Sequence, residues 1–238
     1  METHQYRLSR GRHFTPDRGR CAMEWVAELT GEAHTDRPRT TSAVAAEYVR
    51  RFNDVLADGP RQRLRPYLSR MIGTAGDGLD EHRALLCVRR LVDECLPVAL
   101  EAAGLDVRAG RLEEARSAAA AARSAARERA RRGCVESEWW LRRERVRAAA
   151  RAAGRASALD ATRAALSAAA PDAPRLALAE TAWAATWDAL WAAAWDGRPM
   201  PPADTLLMGA FELLDAMLPG EVLDPYDGVA EELSALSR

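Results

Sequence analysis

Lysine is absent from this chain: all 34 basic residues are arginine. Ile72 is the only isoleucine and Asn53 the only asparagine. Scarcity of these three residue types beside abundant alanine, arginine and glycine marks a GC-rich coding sequence. The arginine usage is therefore poor support for a nucleic-acid partner. Cysteine is sparse too. Cys21, Cys87, Cys95 and Cys134 contain no C-x-x-C pair, which excludes a zinc ribbon and gives no disulfide framework. Reduced thiols in a cytosolic protein are the expectation. The first thirty residues lack an apolar h-region, and no window approaches the roughly 18 apolar residues of a membrane span. A soluble, cytoplasmic chain with no membrane partner is expected. G-x-S-x-G, H-E-x-x-H, G-x-G-x-x-G and a glycine-rich phosphate loop are all missing, so hydrolase and nucleotide-enzyme readings lose their main support. Strand-like alternation is missing as well.

At 238 residues, with 48% hydrophobic and 29% charged residues, the chain suits one large domain or two small helical subdomains. The net charge of −1 provides no global field toward DNA or acidic membranes. Locally the balance is uneven. Arg123–Arg151 carries ten arginines against four glutamates, and Asp204–Arg238 carries eight acids against one arginine. These are either solvated faces or a docking surface, within the fold or between copies.

Residues 1–17 are polar, include His4 and His13, and read as a flexible arm or a docking strap. A first helix is expected over Arg18–Thr30, closed by Gly31, with Ala22, Trp25, Val26 and Leu29 on one face. Thr41 or Ser42 caps a second, whose apolar set is Ala45, Tyr48, Val49, Phe52, Val55 and Leu56. Asp58-Gly59-Pro60 ends it. Arg61–Ile72 is helical with a break at Pro66, and 73–78 is a loop. Asp80 then caps a helix that Pro97 kinks or divides. Past Gly104, four Ala/Arg-rich helices are expected over Arg111–Arg132, Glu136–Ala153, Ser157–Ala169 and Ala173–Trp195, punctuated by Gly133, Gly154 and Pro171. A last helix spans Asp204–Leu218 before an acidic tail, 221–238. The fold class is all-α, a bundle of about eight to ten helices. Its divisions are the arm, a subdomain over 18–105, a second over 106–220, and the tail.

Two features stand out chemically. Trp183, Trp187, Trp191 and Trp195 recur every four residues, and each step turns about 40° round a helix, tracing a slowly winding ridge. Alternation with alanine suits a core seam, an interaction face, or an aromatic groove for a flat or cationic ligand. The second feature is the segment from Cys21 to Asp36. Glu24 on the helix, with Glu32, His34 and Asp36 beyond it, can line a ligand pocket or work as an acid–base pair. The spacing fits no established metal motif, so no metal is assigned, and His34 and Glu24 are weak candidates only. Structural roles compete: His34 and Asp36 brace the loop and Glu24 meets an arginine. Cys87 and Cys95 sit among apolar neighbours and read as small core residues.

The patterns C-x-M-E at Cys21–Glu24, G-E-x-H-T-D-x-P at Gly31–Pro38, F-N-D-x-L at Phe52–Leu56 and P-Y-L-x-x-M-I-G-T at Pro66–Thr74 resemble a set of uncharacterised actinobacterial proteins. The Ala/Trp-rich C-terminal half fits the same set. The likeness is firmest over 18–105. Members often carry cysteine at position 40 and proline at 43, where this chain has Thr40 and Ala43, so a cysteine metal site using position 40 is not available. The resemblance implies a shared helical domain and no activity.

The leading expectation is a helical interaction protein that binds a partner protein or forms a homo-oligomer. The alternative is a small enzyme or ligand-binding protein with a pocket in the Cys21–Asp36 segment. No cofactor is indicated. Nucleic-acid binding through 123–151 ranks last, because the arginines surround the helices rather than forming a stripe.

Overall fold

In the computed structural model, residues 7–106, 111–132 and 134–218 are described. Their regular secondary structure is helical, apart from one isolated bridge between Leu8 and Arg20. The α-helices among these residues are α1 (Ala22–Leu29), α2 (Ala43–Val55), α3 (Asp58–Arg61), α4 (Leu68–Met71), α5 (Asp80–Arg89) and α6 (Leu96–Ala103) in the first half. The second half holds α7 (Leu112–Arg132), α8 (Glu136–Ala156), α9 (Leu159–Ala168), α10 (Ala173–Asp196) and α11 (Ala203–Met217). The chain is an all-α multi-helix bundle. No helix among the described residues is long and apolar enough to cross a membrane.

Local chemistry sets most boundaries. Ser42 caps α2, its hydroxyl accepting from the Ala45 N–H at 3.2 Å. Gly31 follows α1 with φ of 70°, a left-handed position where glycine carries no Cβ penalty. Pro97 has no N–H for the Asp93 carbonyl, and the chain answers with a π-helical turn over Arg90–Cys95 before restarting as α6.

Two boundary expectations need correction. Asp80 is the first residue of α5 rather than its cap; its carboxylate instead binds the Ser42 hydroxyl and Arg83. Gly154 does not end a helix. It lies inside α8, where the tip of the Trp187 ring occupies the space a Cβ would need. The actual break comes at Ala158, which adopts φ of 53°.

One buried cluster spans both halves, so the two expected subdomains share a core. Helix α10 sits among α6, α7, α8 and α9, while α2 packs along α9. Alanine makes this possible. Ala115, Ala119, Ala126 and Ala130 are buried on α7, and Ala182, Ala185, Ala189 and Ala193 on α10. Small side chains allow two helix axes to approach the near end of the ~8–10 Å range. Helix α11 is held by groups from the first half. The Tyr48 hydroxyl donates to the Ala210 carbonyl at 2.7 Å, Arg83 Nε to the Met217 carbonyl at 3.0 Å, and Arg90 to the Leu206 carbonyl at 3.3 Å.

The expected flexible arm is, over residues 7–17, a strap fixed to the bundle. Leu8 is only 1% exposed, and Gln62 binds its N–H and carbonyl at 2.9 and 3.0 Å. Asn53, the lone asparagine, is fully buried and donates to the Ser9 carbonyl at 3.0 Å. A short polar segment stays bound because its backbone groups find side-chain partners that replace water. His4 and the acidic tail after Gly220 lie outside the described residues.

Candidate functional site

The Cys21–Asp36 segment forms a closed knot. Cys21 precedes α1, and its N–H donates to Glu24 Oε2 at 2.8 Å, the return half of a capping box. The strap supplies the rest. His13 donates to the same carboxylate twice, from its backbone N–H at 2.6 Å and from ring Nδ1 at 2.8 Å. His34 Nε2 lies 3.7 Å from Glu24 Oε1 but donates to the His13 carbonyl at 2.9 Å. Because a carbonyl oxygen only accepts, Nε2 carries the hydrogen, which this network assigns. The expected arginine partner of Glu24 is thus a histidine from the strap.

The other two candidates do not join. Glu32 turns outward to cap the following loop, accepting from the Arg39 N–H at 2.9 Å and the Thr40 N–H at 3.3 Å. Asp36 faces Arg12 at 3.7 Å. Among the described residues, no group of three or more His, Cys, Asp and Glu is arranged to hold a metal ion.

Electrostatics give the knot a structural character. Burial pushes the Glu24 pKa up, but the hydrogen bonds from the His13 and Cys21 backbone and the His13 ring outweigh it and hold it below the usual carboxylate value. Glu24 is 1% exposed and accepts three hydrogen bonds, so it presents no open face to a substrate. Burial raises the neighbouring Cys21 thiol to about 12, which leaves almost no thiolate at neutral pH. Cys87 is raised in the same way, and Cys95 to about 11. The first three cysteines are inert packing groups.

The tryptophan ridge behaves differently along its length. Trp195 is buried and stacks on Trp139, with ring centroids 5.1 Å apart and planes inclined by 12°. After three steps of about 40°, the last indole has rotated off the line of the first and enters the bundle. Trp183, Trp187 and Trp191 remain half-buried and form the floor of an open groove of about 660 Å³. Arg123 of α7 stands on one side, and Arg151 and Arg155 of α8 on another. Asp160 of α9 and Asp188 of α10 add two carboxylates, and Val55 adds an apolar edge.

Each carboxylate is engaged. Asp160 accepts from Trp183 Nε1 at 3.2 Å, and Asp188 accepts from Arg123 at 2.6 Å. Arg123 also lies 5.4 Å from the centre of the Trp191 ring, and Arg163 stands 4.4 Å over Trp183. Trp183 meets Trp187 edge-on, with centroids 6.5 Å apart. Trp187 Nε1 has no hydrogen-bond partner among the described residues. The groove can accept a flat apolar surface against indole faces, with guanidinium groups at its rim.

Docking of 123–151 on 204–238 within the fold, one of the readings of the charge split, finds no ion pair among the described residues. Arg123 and Arg129 pair with Asp188 and Asp196 of α10, while Asp215 of α11 pairs with Arg70. This internal pairing also weakens the case for a basic nucleic-acid face.

No protein-family model matches the chain, and no curated protein or solved structure matches it. Sequence reasoning missed His13, which the strap brings to Glu24 across eleven positions, and the arginines of the groove. The spacing of Arg151 and Arg155, one turn apart on α8, was the available signal for the latter.

Proposed function

We propose that this chain is a binding protein that takes a small molecule with a flat apolar face in the groove of α10. The observation that carries the reading is the open, indole-floored volume of about 660 Å³, beside a knot at Glu24 with no free face. That volume falls in the range of about 300–1,000 Å³ typical of small-molecule sites, which combine apolar walls with a few polar groups. Three half-buried indoles in one row also leave apolar surface in water, which a ligand would cover at roughly 25 cal/mol per Å².

Ligand-observed NMR with a set of flat aromatic fragments tests this. Fragments that bind the wild type should lose about tenfold or more in affinity on Trp191→Ala, and retain it on Trp140→Ala. Trp140 lies outside the groove. Equal binding by wild type and Trp191→Ala would overturn the assignment.

A second reading, docking to a partner protein or to another copy, is supported by one observation. Val135, Trp140 and Leu141 stand 64%, 51% and 67% exposed at the start of α8, large apolar side chains on a polar helix. Light scattering across salt concentrations addresses self-assembly. A strict monomer whose behaviour is unchanged by Leu141→Ser removes it.

A further inference from the structure

We infer that the groove of α10 selects an aromatic anion, a flat ring bearing a phosphate or carboxylate, with Arg151 and Arg155 holding the anionic group. This rests on the binding reading above and specifies its ligand. The argument begins with the charges that line the groove and asks which are already engaged. Asp188 is neutralised by Arg123 at 2.6 Å, and Asp160 accepts the Trp183 N–H at 3.2 Å. Arg151 and Arg155 line the same groove, and neither guanidinium makes a hydrogen bond or ion pair with any described residue. Asp160 keeps its charge, so the five charged groups of the lining sum to +1, with the two unpaired guanidinium groups both on α8.

Spacing supports two-point capture. Residues four apart on a helix bring their Cβ atoms within about 5–6 Å, so both side chains can reach one group. Guanidinium forks match phosphate and carboxylate oxygens, and such charge-assisted bonds are the stronger kind. The indole floor then provides the face for the ring. A cation is disfavoured by the sign of the lining, in which three arginines stand against two carboxylates and one of those carboxylates is already paired with Arg123.

Calorimetric titration of the full chain with three probes decides the matter: 2-naphthyl phosphate, 2-naphthylmethanol and inorganic phosphate. The naphthyl phosphate should bind about tenfold or more tightly than either of the others. The double variant Arg151→Gln/Arg155→Gln should reduce it to the affinity of the alcohol and leave the alcohol unaffected. Both positions are exposed on α8, so circular dichroism should show an unaltered helix content. Arg116→Gln/Arg127→Gln on α7, outside the groove, should change each affinity by less than about twofold and so excludes a general charge effect. Alcohol binding as tight as the phosphate ester, or a double variant indistinguishable from wild type, overturns the anion assignment while the groove reading stands. Inorganic phosphate binding as tightly as the ester removes the ring from the requirement and overturns the inference also. Silence from all three probes sinks both readings together.

Discussion

The knot around Glu24 and the groove along α10 both gather chemically capable side chains, yet they differ in what is left over. At the knot, two histidines, a glutamate and a cysteine converge within a few ångströms. The strap and the α1 terminus occupy the carboxylate, and the thiol is pushed up to about 12. His34 Nδ1 has no partner among the described residues, but no open volume adjoins Glu24. At the groove the residue types are less suggestive, but volume is open, two guanidinium groups are unpaired among the described residues, and one indole N–H has no acceptor there. A binding site is marked by unspent interactions next to space, not by the density of titratable groups.

The sharpest way to break this contrast is Glu24→Ala. It strips the partner from two backbone N–H groups and the His13 ring in a buried site, and should cost about 3–5 kcal/mol in urea unfolding. Ligand binding by the folded fraction should not change. A loss below about 1 kcal/mol would show that the knot is not structural.

Gly154→Ala comes next. In an ordinary helix interior this change gains roughly 1 kcal/mol. Here the new methyl meets the Trp187 ring, so we expect a loss of about 1–3 kcal/mol, a red-shifted tryptophan emission and weakened binding in the groove. A stabilised variant with unaltered emission would show that the ring moves freely, and that the groove is softer than described.

The acid arm of the stability curve gives a smaller effect. Glu24 has its folded pKa lowered, so its stabilisation is complete above the unfolded value and is lost as pH falls through the folded one. Glu24→Gln lacks that titration. The stability gap between wild type and variant should narrow as pH falls below about 4.3. A gap that widens below that pH would reverse the sign assigned here. Leu141→Ser should have the smallest effect, within about 0.5 kcal/mol, because the side chain is two-thirds exposed. A larger loss of stability, at protein concentrations where light scattering detects dimer, would favour the docking reading.

Most of the helical scaffold was legible because it depends on local chemistry. The apolar spacing from Ala45 to Leu56 gave α2, Ser42 was one of its two cap candidates, and Pro97 marked a real division. Gly154 misled for a tertiary reason. Its value is not backbone freedom but the space it leaves for Trp187, which is contributed from another helix. The candidate sites were only half legible. Glu24 and His34 do approach each other, but Glu32 and Asp36 turn to other partners, and His13 arrives from a strap that composition alone presents as loose. In the ridge, the recurrence of an indole at every fourth residue was plain in the sequence. Which of them faces space depended on α7 and α8, and so on long-range packing.

The grip of Tyr48, Arg83 and Arg90 on α11 bears on how the chain is made. Tyr48 and Ala210 are separated by 162 positions, so the acceptor is synthesised roughly 10–30 seconds after the donor at about 5–20 residues per second. During that interval the nascent first half holds an incomplete interior, with an apolar flank exposed to water or to a chaperone and the guanidinium groups of Arg83 and Arg90 not yet bonded to α11. Completion of the native state waits for α11, which makes truncation before Ala203 far more damaging than the size of that one helix suggests.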